Sequence, residues 1–300
     1  MNIVFFGNTK YSLIGAKIIH EKLGIANIVT IPDRPDKRGH LQESPLKTFG
    51  KENNIPVLEV NTISDETIAQ IKSYNADFFI VEDYGLILPS ALLDLPKKAA
   101  LNIHHSLLPK YRGSSPAPAA ILHGDKTTGV SVIMMTDKLD AGDILGQTKY
   151  EIKSDDTTES LLTELNKLGS ELIVSILNNF DEAKIKAKKQ HETQVTITKL
   201  ITKNDGLIDT TNPPSAEKLD RMIRAYYPWP TVWTLLRFSA SHSVKTSRDT
   251  SEGQARQKRI IFLPGKMIQV EGKNPMSVKD FMNGYPELKQ EIEKLLSLNS

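Results

Sequence analysis

Short apolar runs alternate with segments of helical spacing from the first residues onward, and this alternation narrows the possible folds more than any other property of the chain. Ile3 to Phe6 precedes a helical pattern from Ser12 to Leu23, and apolar runs return at Ala26 to Ile31, Val57 to Val60 and Ala76 to Val81. Continuous apolar strands are covered on both faces, and intervening helices are the crossovers a parallel sheet requires. The expected architecture is therefore α/β, a Rossmann-like parallel sheet. Further on, Pro116 to His123 reads as a short helix and Gly129 to Met135 as a β-branched strand. Leu161, Leu165, Leu168, Leu172 and Ile176 recur at the spacing of a core-facing helix.

At 300 residues the chain has room for two domains. Lysines accumulate between Asp181 and Asn204, among them Lys188 and Lys189, where the hydrophobic periodicity stops. Beyond them lie an amphipathic segment, Ala216 to Ala225, an aromatic-proline run, Tyr226 to Pro230, and strand-like pieces at Val232 to Phe238, Arg259 to Leu263 and Met267 to Val270. The expected boundaries are 1–188 for an N-terminal domain, 189–205 for a basic linker and 206–300 for a smaller β-rich domain. The polar stretch Ser239 to Lys258 reads as a loop with little packed structure.

The chemistry concentrates in one segment. Ala99-Ala100-Leu101 runs into Asn102 and His104, and side chains two apart on a strand share a face. His105 should then face the other way as a structural residue. The strand breaks at Ser106 to Pro109, and open α/β sheets keep their ligands beyond the carboxyl ends of their strands. Taken singly, His104 reads as well as a hydrogen-bonded structural histidine, and Asp140 in Leu-Asp-Ala-Gly-Asp as a turn former; their combination points to a site.

Several chemistries lack their residues. With no cysteine there are no disulfides, thiolate metal sites or cysteine nucleophiles, and an oxidising compartment has no support. The glycines of a dinucleotide fingerprint or a phosphate loop are missing, and the histidines are too scattered for a zinc site, so no metal is expected. Met1 to Gly7 reads as a first buried strand without a basic region before it, and nothing approaches a membrane span, so the expected location is cytoplasmic, with no membrane partner and a monomeric state. A net charge of +2 does not by itself imply nucleic-acid binding.

Asn102-Ile103-His104-His105-Ser106-Leu107-Leu108-Pro109-Lys110-Tyr111-Arg112-Gly113, with Gly129-Val130-Ser131 and Leu139-Asp140-Ala141-Gly142-Asp143, resembles the folate-dependent formyltransferases. The resemblance implies catalytic roles for Asn102, His104 and Asp140. It also implies that Ser106, Leu107, Leu108 and Pro109, with Tyr84, Gly85, Leu86 and Ile87, line the site of the donor, 10-formyltetrahydrofolate. Pro32 to Pro35 with Lys37 to Gly39 and Ser44-Pro45, Arg224 to Pro230, and Asn274 to Ser277 with Asp280 to Gly284 resemble the members that formylate methionine on initiator methionyl-tRNA. For that acceptor, Lys37, Arg38, Lys188 and Lys189 are the expected tRNA contacts, and the C-terminal domain is expected to be an OB-like β-barrel. Departures from the family are Glu82 and Asp83, where apolar or small residues are usual, and His105, which replaces a small one.

The resemblance implies a tetrahedral carbon bearing an oxyanion, for which Asn102 supplies an amide donor. Asp140 is expected to raise the His104 pKa toward or above neutrality, making the imidazolium a second donor, and to aid proton transfer; the sequence leaves open which of the two carries the proton. Two alternatives remain: formyl transfer to a nucleotide-linked amino sugar, and a noncatalytic RNA-binding relative.

Overall fold

A computed structural model describes residues 1–35, 39, 41–238 and 256–296. The chain divides into two compact units, one of residues 1–117, 126–152 and 160–199, the other of 118–125, 153–159 and 200–300.

In the first unit, Ile3–Phe6 (β1), Asn27–Thr30 (β2), Val57–Glu59 (β3), Phe78–Val81 (β4), Ala99–His104 (β5), Thr127–Met134 (β6) and Ile144–Glu151 (β7) form one sheet in the order β7-β6-β5-β4-β1-β2-β3. Strands β1 to β5 are parallel, and β6 runs antiparallel to both of its neighbours. Alternation divides each strand between two cores. Ile3 and Phe5 join one buried cluster, Val4 and Phe6 the other, and all four are fully buried. The first cluster is closed by helix α1 (Ser12–Leu23), which ends at Gly24, and by helix α2 (Thr158–Asn178), whose Leu161 and Leu165 are fully buried as their spacing predicts.

The same alternation builds the site. Along β5, Leu101 and Ile103 continue the first core, whereas Asn102 and His104 follow Ala100 on the second face, where the apolar sequence gives out. The chain lays down β1, β2 and β3 in one direction and then crosses to β4 and β5 on the other side of β1. The loops after β1 and β4 therefore open at a switch point, where such sheets leave a crevice.

The second unit carries a small antiparallel sheet in the order Val232–Phe238 (β8), Arg256–Leu263 (β9), Met267–Val270 (β10), Met276–Ser277 (β11). Its core joins Val232, Leu236, Ile260, Phe262 and Ile268 to Leu219 of the helix Ala216–Ala225, and to Phe281, Ile292 and Leu295 near the C-terminus. Of the stretch read as a loop, residues 239–255 lie outside the described residues, while Arg256, Gln257 and Lys258 pair as strand with Phe238, Arg237 and Leu236. Among the described residues, no helix is long and apolar enough to cross a membrane.

Candidate active site

Asn102, His104 and Asp140 come together. Asn102 Nδ2 donates to Asp140 Oδ1 at 3.3 Å, and Asp140 Oδ2 lies 3.6 Å from His104 Nδ1. Asp140 adopts the left-handed conformation (φ 47°), unusual for a residue with a side chain, and its Oδ2 accepts the Gly113 N–H at 2.8 Å. Gly113 itself has φ 105°, and a Cβ there would meet the Thr198 carbonyl oxygen at 2.6 Å, so both backbone and space require glycine.

The other ring nitrogen of His104 faces the Tyr111 carbonyl at 2.9 Å. A carbonyl only accepts, so Nε2 carries the proton and, in the neutral ring, Nδ1 presents its lone pair toward Asp140. Burial pulls the His104 pKa below its ordinary value, and the nearby Asp140 carboxylate does not offset it. This reverses the direction anticipated from the Asp140 partner alone: desolvation of a ring that is 5% exposed outweighs one carboxylate at 3.6 Å. The resting imidazole is neutral, a base.

The expected donor-site residues divide between two loops. Ser106 is fully buried and its hydroxyl donates to the Lys110 carbonyl at 2.6 Å, Leu108 is buried, and Leu107 and Pro109 are part-buried. This loop is held by Ser131, which the sequence offered only as part of the resemblance and without a role, and by Gln147, which sequence reasoning missed. Ser131 Oγ accepts the Leu108 N–H and donates to the Ser106 carbonyl, while Gln147 Nε2 donates to Ser131 Oγ at 2.8 Å and to the Leu108 carbonyl at 3.0 Å. In the second loop Tyr84 packs edge-on against Phe6 in the core, Gly85 has φ 87° and Leu86 is part-buried. Ile87 stands 91% exposed, an apolar side chain with no core to serve.

On the opposite face His105 turns away from Asn102 and His104, as strand alternation predicts. It lies between Asp83, 3.5 Å from Nδ1, and Glu82, 3.7 Å from Nε2. Glu82 is fully buried with neither oxygen hydrogen-bonded, and burial pushes its carboxyl up to about 7. Asp83 also accepts from Thr9 Oγ1 at 3.3 Å, joining the loops after β1 and β4.

Lys188 and Lys189 are exposed. Lys37 and Arg38 lie outside the described residues. The described ends of their segment pair, Arg34–Pro35 with Leu41–Gln42, and Asp33 takes both the Ser44 N–H and the Lys47 ammonium at 2.8 Å. Among the described residues no group of three or more His, Cys, Asp or Glu could hold a metal ion.

Comparison with known proteins bears on this geometry. The chain is 32% identical over 303 residues to the methionyl-tRNA formyltransferase of Pseudoalteromonas translucida, covering 95% of this chain and 94% of that protein. It is 34% identical over 298 residues to that of Thermodesulfovibrio yellowstonii, covering 94% and 95%. An N-formyltransferase from Helicobacter canadensis, solved in complex with folinic acid and dTDP-3-aminofucose, superposes with a TM-score of 0.58 at 18% identity over 87% of this chain and 95% of that one, a likeness of fold. The formyl transferase family model matches residues 1–177, and the formyl transferase C-terminal domain model matches residues 200–271. The chain belongs to the formyltransferase family.

Proposed function

We propose that this protein transfers the formyl group of 10-formyltetrahydrofolate to the α-amine of methionine carried on initiator tRNA. The observation that carries the reading is the meeting of an amide, a neutral imidazole and a carboxylate at the end of β5. The full-length likeness to proteins named methionyl-tRNA formyltransferase supports the acceptor.

The neutral amine attacks the formyl carbon, a C–N bond forms, and the carbonyl electron pair moves onto oxygen. One Asn102 N–H is spent on Asp140, which leaves the other to hold that oxyanion. The amine's proton passes to His104 Nδ1, and the imidazolium so formed is stabilised by Asp140. The same proton then moves to N10 of the folate as the C–N10 bond breaks and the carbonyl re-forms. Tyr111 keeps the ring in the tautomer this step needs. Asp140 serves as counter-charge; the imidazole carries the proton. The exposed Ile87 and the open backbone at Gly85 suit the flat, largely apolar face of a folate, and Ser106 to Pro109 are assigned to the same donor. Lys188 and Lys189, which are exposed, are assigned to tRNA phosphates, as are Lys37 and Arg38, which lie outside the described residues; cationic side chains are the natural partners of phosphates.

The deciding assay offers 10-formyltetrahydrofolate with charged initiator tRNA and, separately, with nucleotide-linked amino sugars. Formyl-methionyl-tRNA is the expected product. Turnover only on sugars would assign the other acceptor class, and retention of tRNA without consumption of donor would make the chain a noncatalytic RNA-binding relative.

A further inference from the structure

Residues 188–198 run as a strap along the rest of the first unit, bonded to it at Lys188, Gln190, Glu192 and Thr196 to Thr198. The Lys188 backbone exchanges two hydrogen bonds with Ile144, at 2.8 and 2.9 Å. Thr196 accepts the Tyr111 N–H on its hydroxyl at 2.8 Å and the Arg112 N–H on its carbonyl at 2.9 Å, and Ile197–Thr198 pairs in parallel with Arg112–Gly113. Between these anchors lies Gln190. Its Nε2 donates to the Asp140 carbonyl at 2.7 Å and to the Gly142 carbonyl at 2.8 Å, and its Oε1 accepts from Arg112 Nε at 3.0 Å. Arg112, itself buried, is held on its far side by Glu192 at 2.9 Å.

Asp140 thus sits in a disfavoured backbone conformation, which persists only where the surroundings over-determine it. Two clamps do so. The Gly113 N–H holds the carboxylate from one side, and the Gln190 amide holds the turn's backbone from the other. Gly142 completes the turn where a Cβ would lie 1.7 Å from the Met134 carbonyl oxygen, so the chain has no room to shift. We propose that Gln190 is a positioning residue of the reaction, locking the Asp140 turn so that its carboxylate faces His104 and Asn102. The inference rests on the formyl-transfer reading above. It assigns the segment's polar side chains to the site, whatever its lysines bind.

The test is steady-state kinetics of Gln190→Met, which keeps the length and removes both donors. A displacement of about 1 Å in a reacting group lowers rates by about 10²-fold. The expected result is a kcat reduced on that order, with KM for donor and tRNA within about twofold of the parent. The pH profile supplies the readout that a loss of stability would not move. His104 is faced directly by Asp140 and at longer range by Asp83 and His105. A withdrawn Asp140 leaves burial less opposed, so the acid limb of kcat moves to lower pH. In an Asp140→Asn background Gln190→Met should add nothing, because it acts through that carboxylate. If Gln190→Met does not fold, Arg112→Lys, which removes the Nε donor to Gln190 and keeps the charge beside Glu192, should show the same acid-limb shift with a smaller loss. An unchanged kcat and acid limb in an active parent, or a full additional loss in the Asp140→Asn background, overturns the proposal. A parent that turns over neither tRNA nor sugar overturns the formyl-transfer reading instead.

Discussion

Glu82→Gln should stabilise the first unit at pH 8 and leave it almost unchanged at pH 5. The carboxyl is fully buried and without a hydrogen bond, and burial raises it from 4.5 to about 7. A raised folded-state pKa means that the fold holds the proton more tightly than the unfolded chain does. The stabilisation is complete below pH 4.5 and is lost as pH rises to about 7. At about 1.4 kcal/mol per pH unit, that span is worth roughly 3 kcal/mol. His105 acts in the same direction. Burial lowers it, but Asp83 and Glu82 together raise it above its ordinary value, so the stability it contributes below 6.5 also declines as pH increases. Glutamine keeps the shape and cannot ionise. The variant should therefore match the parent within about 1 kcal/mol at pH 5 and exceed it by roughly 2 kcal/mol at pH 8, less than the full span because His105 loses a carboxylate neighbour. Urea unfolding followed by hydrogen exchange in peptides covering Phe78–Val81 and Ala99–His104 reads this unit separately from the other. A parent whose stability is flat between pH 5 and 8, or a variant equally destabilised at both, would refute the reasoning, because Glu82 would then be an ordinary, stably paired carboxylate.

Three further outcomes are expected. Asn102→Ala should lower kcat by about 10² to 10³-fold, as loss of an oxyanion donor does, with little change in KM for tRNA, measured by formyl transfer to charged initiator tRNA. The acid limb of the parent's kcat should fall below pH 6.5, since His104 must be neutral to accept the proton and burial holds its pKa down; a limb above 6.5 would mean that the Asp140 charge prevails. Gly15→Ala should destabilise by about 1 to 3 kcal/mol in thermal or urea unfolding, because its Cβ would fall 1.9 Å from Glu82 Oε2 and 3.0 Å from Ser170 Oγ, and the cost should shrink in a Glu82→Ala background.

Much of this was legible because it is local. The helix Ser12–Leu23 and the shared face of Asn102 and His104 follow from periodicity, which needs no knowledge of distant contacts. The approach of Asp140 to that face is not periodic, and only the family resemblance anticipated it. Gln190 was invisible for a different reason. One amide in a lysine-rich stretch has no pattern, and its role exists only once β7, the Asp140 turn and Arg112 are folded against it. Burial was the other missing quantity. Sequence supplied a carboxylate for His104 and so predicted an upward shift, but the depth at which the ring lies decides the sign. The unusual residues Glu82, Asp83 and His105 were recognisable singly as departures from the family, whereas their assembly into one cluster around the buried His105 depends on β4 lying beside β5.

His104 and His105 make the division of labour within β5 plain. They are adjacent in sequence, both nearly inaccessible, and both pulled down by desolvation, yet their pKa values move in opposite directions. Strand alternation sends His104 to the face where one carboxylate lies 3.6 Å away, and desolvation wins. It sends His105 to the face where two carboxylates lie within 3.7 Å, and charge wins. A one-residue change in register turns every side chain of the strand to the opposite face and takes both histidines out of these environments. A slip in one direction would hold His104, the proposed proton acceptor, charged between Asp83 and Glu82; a slip in the other would set His105 neutral beside Asp140. The pairing of β5 with β4 and β6, Asn102 opposite Val81 and Ile133, is therefore as much a determinant of the chemistry as the choice of histidine itself.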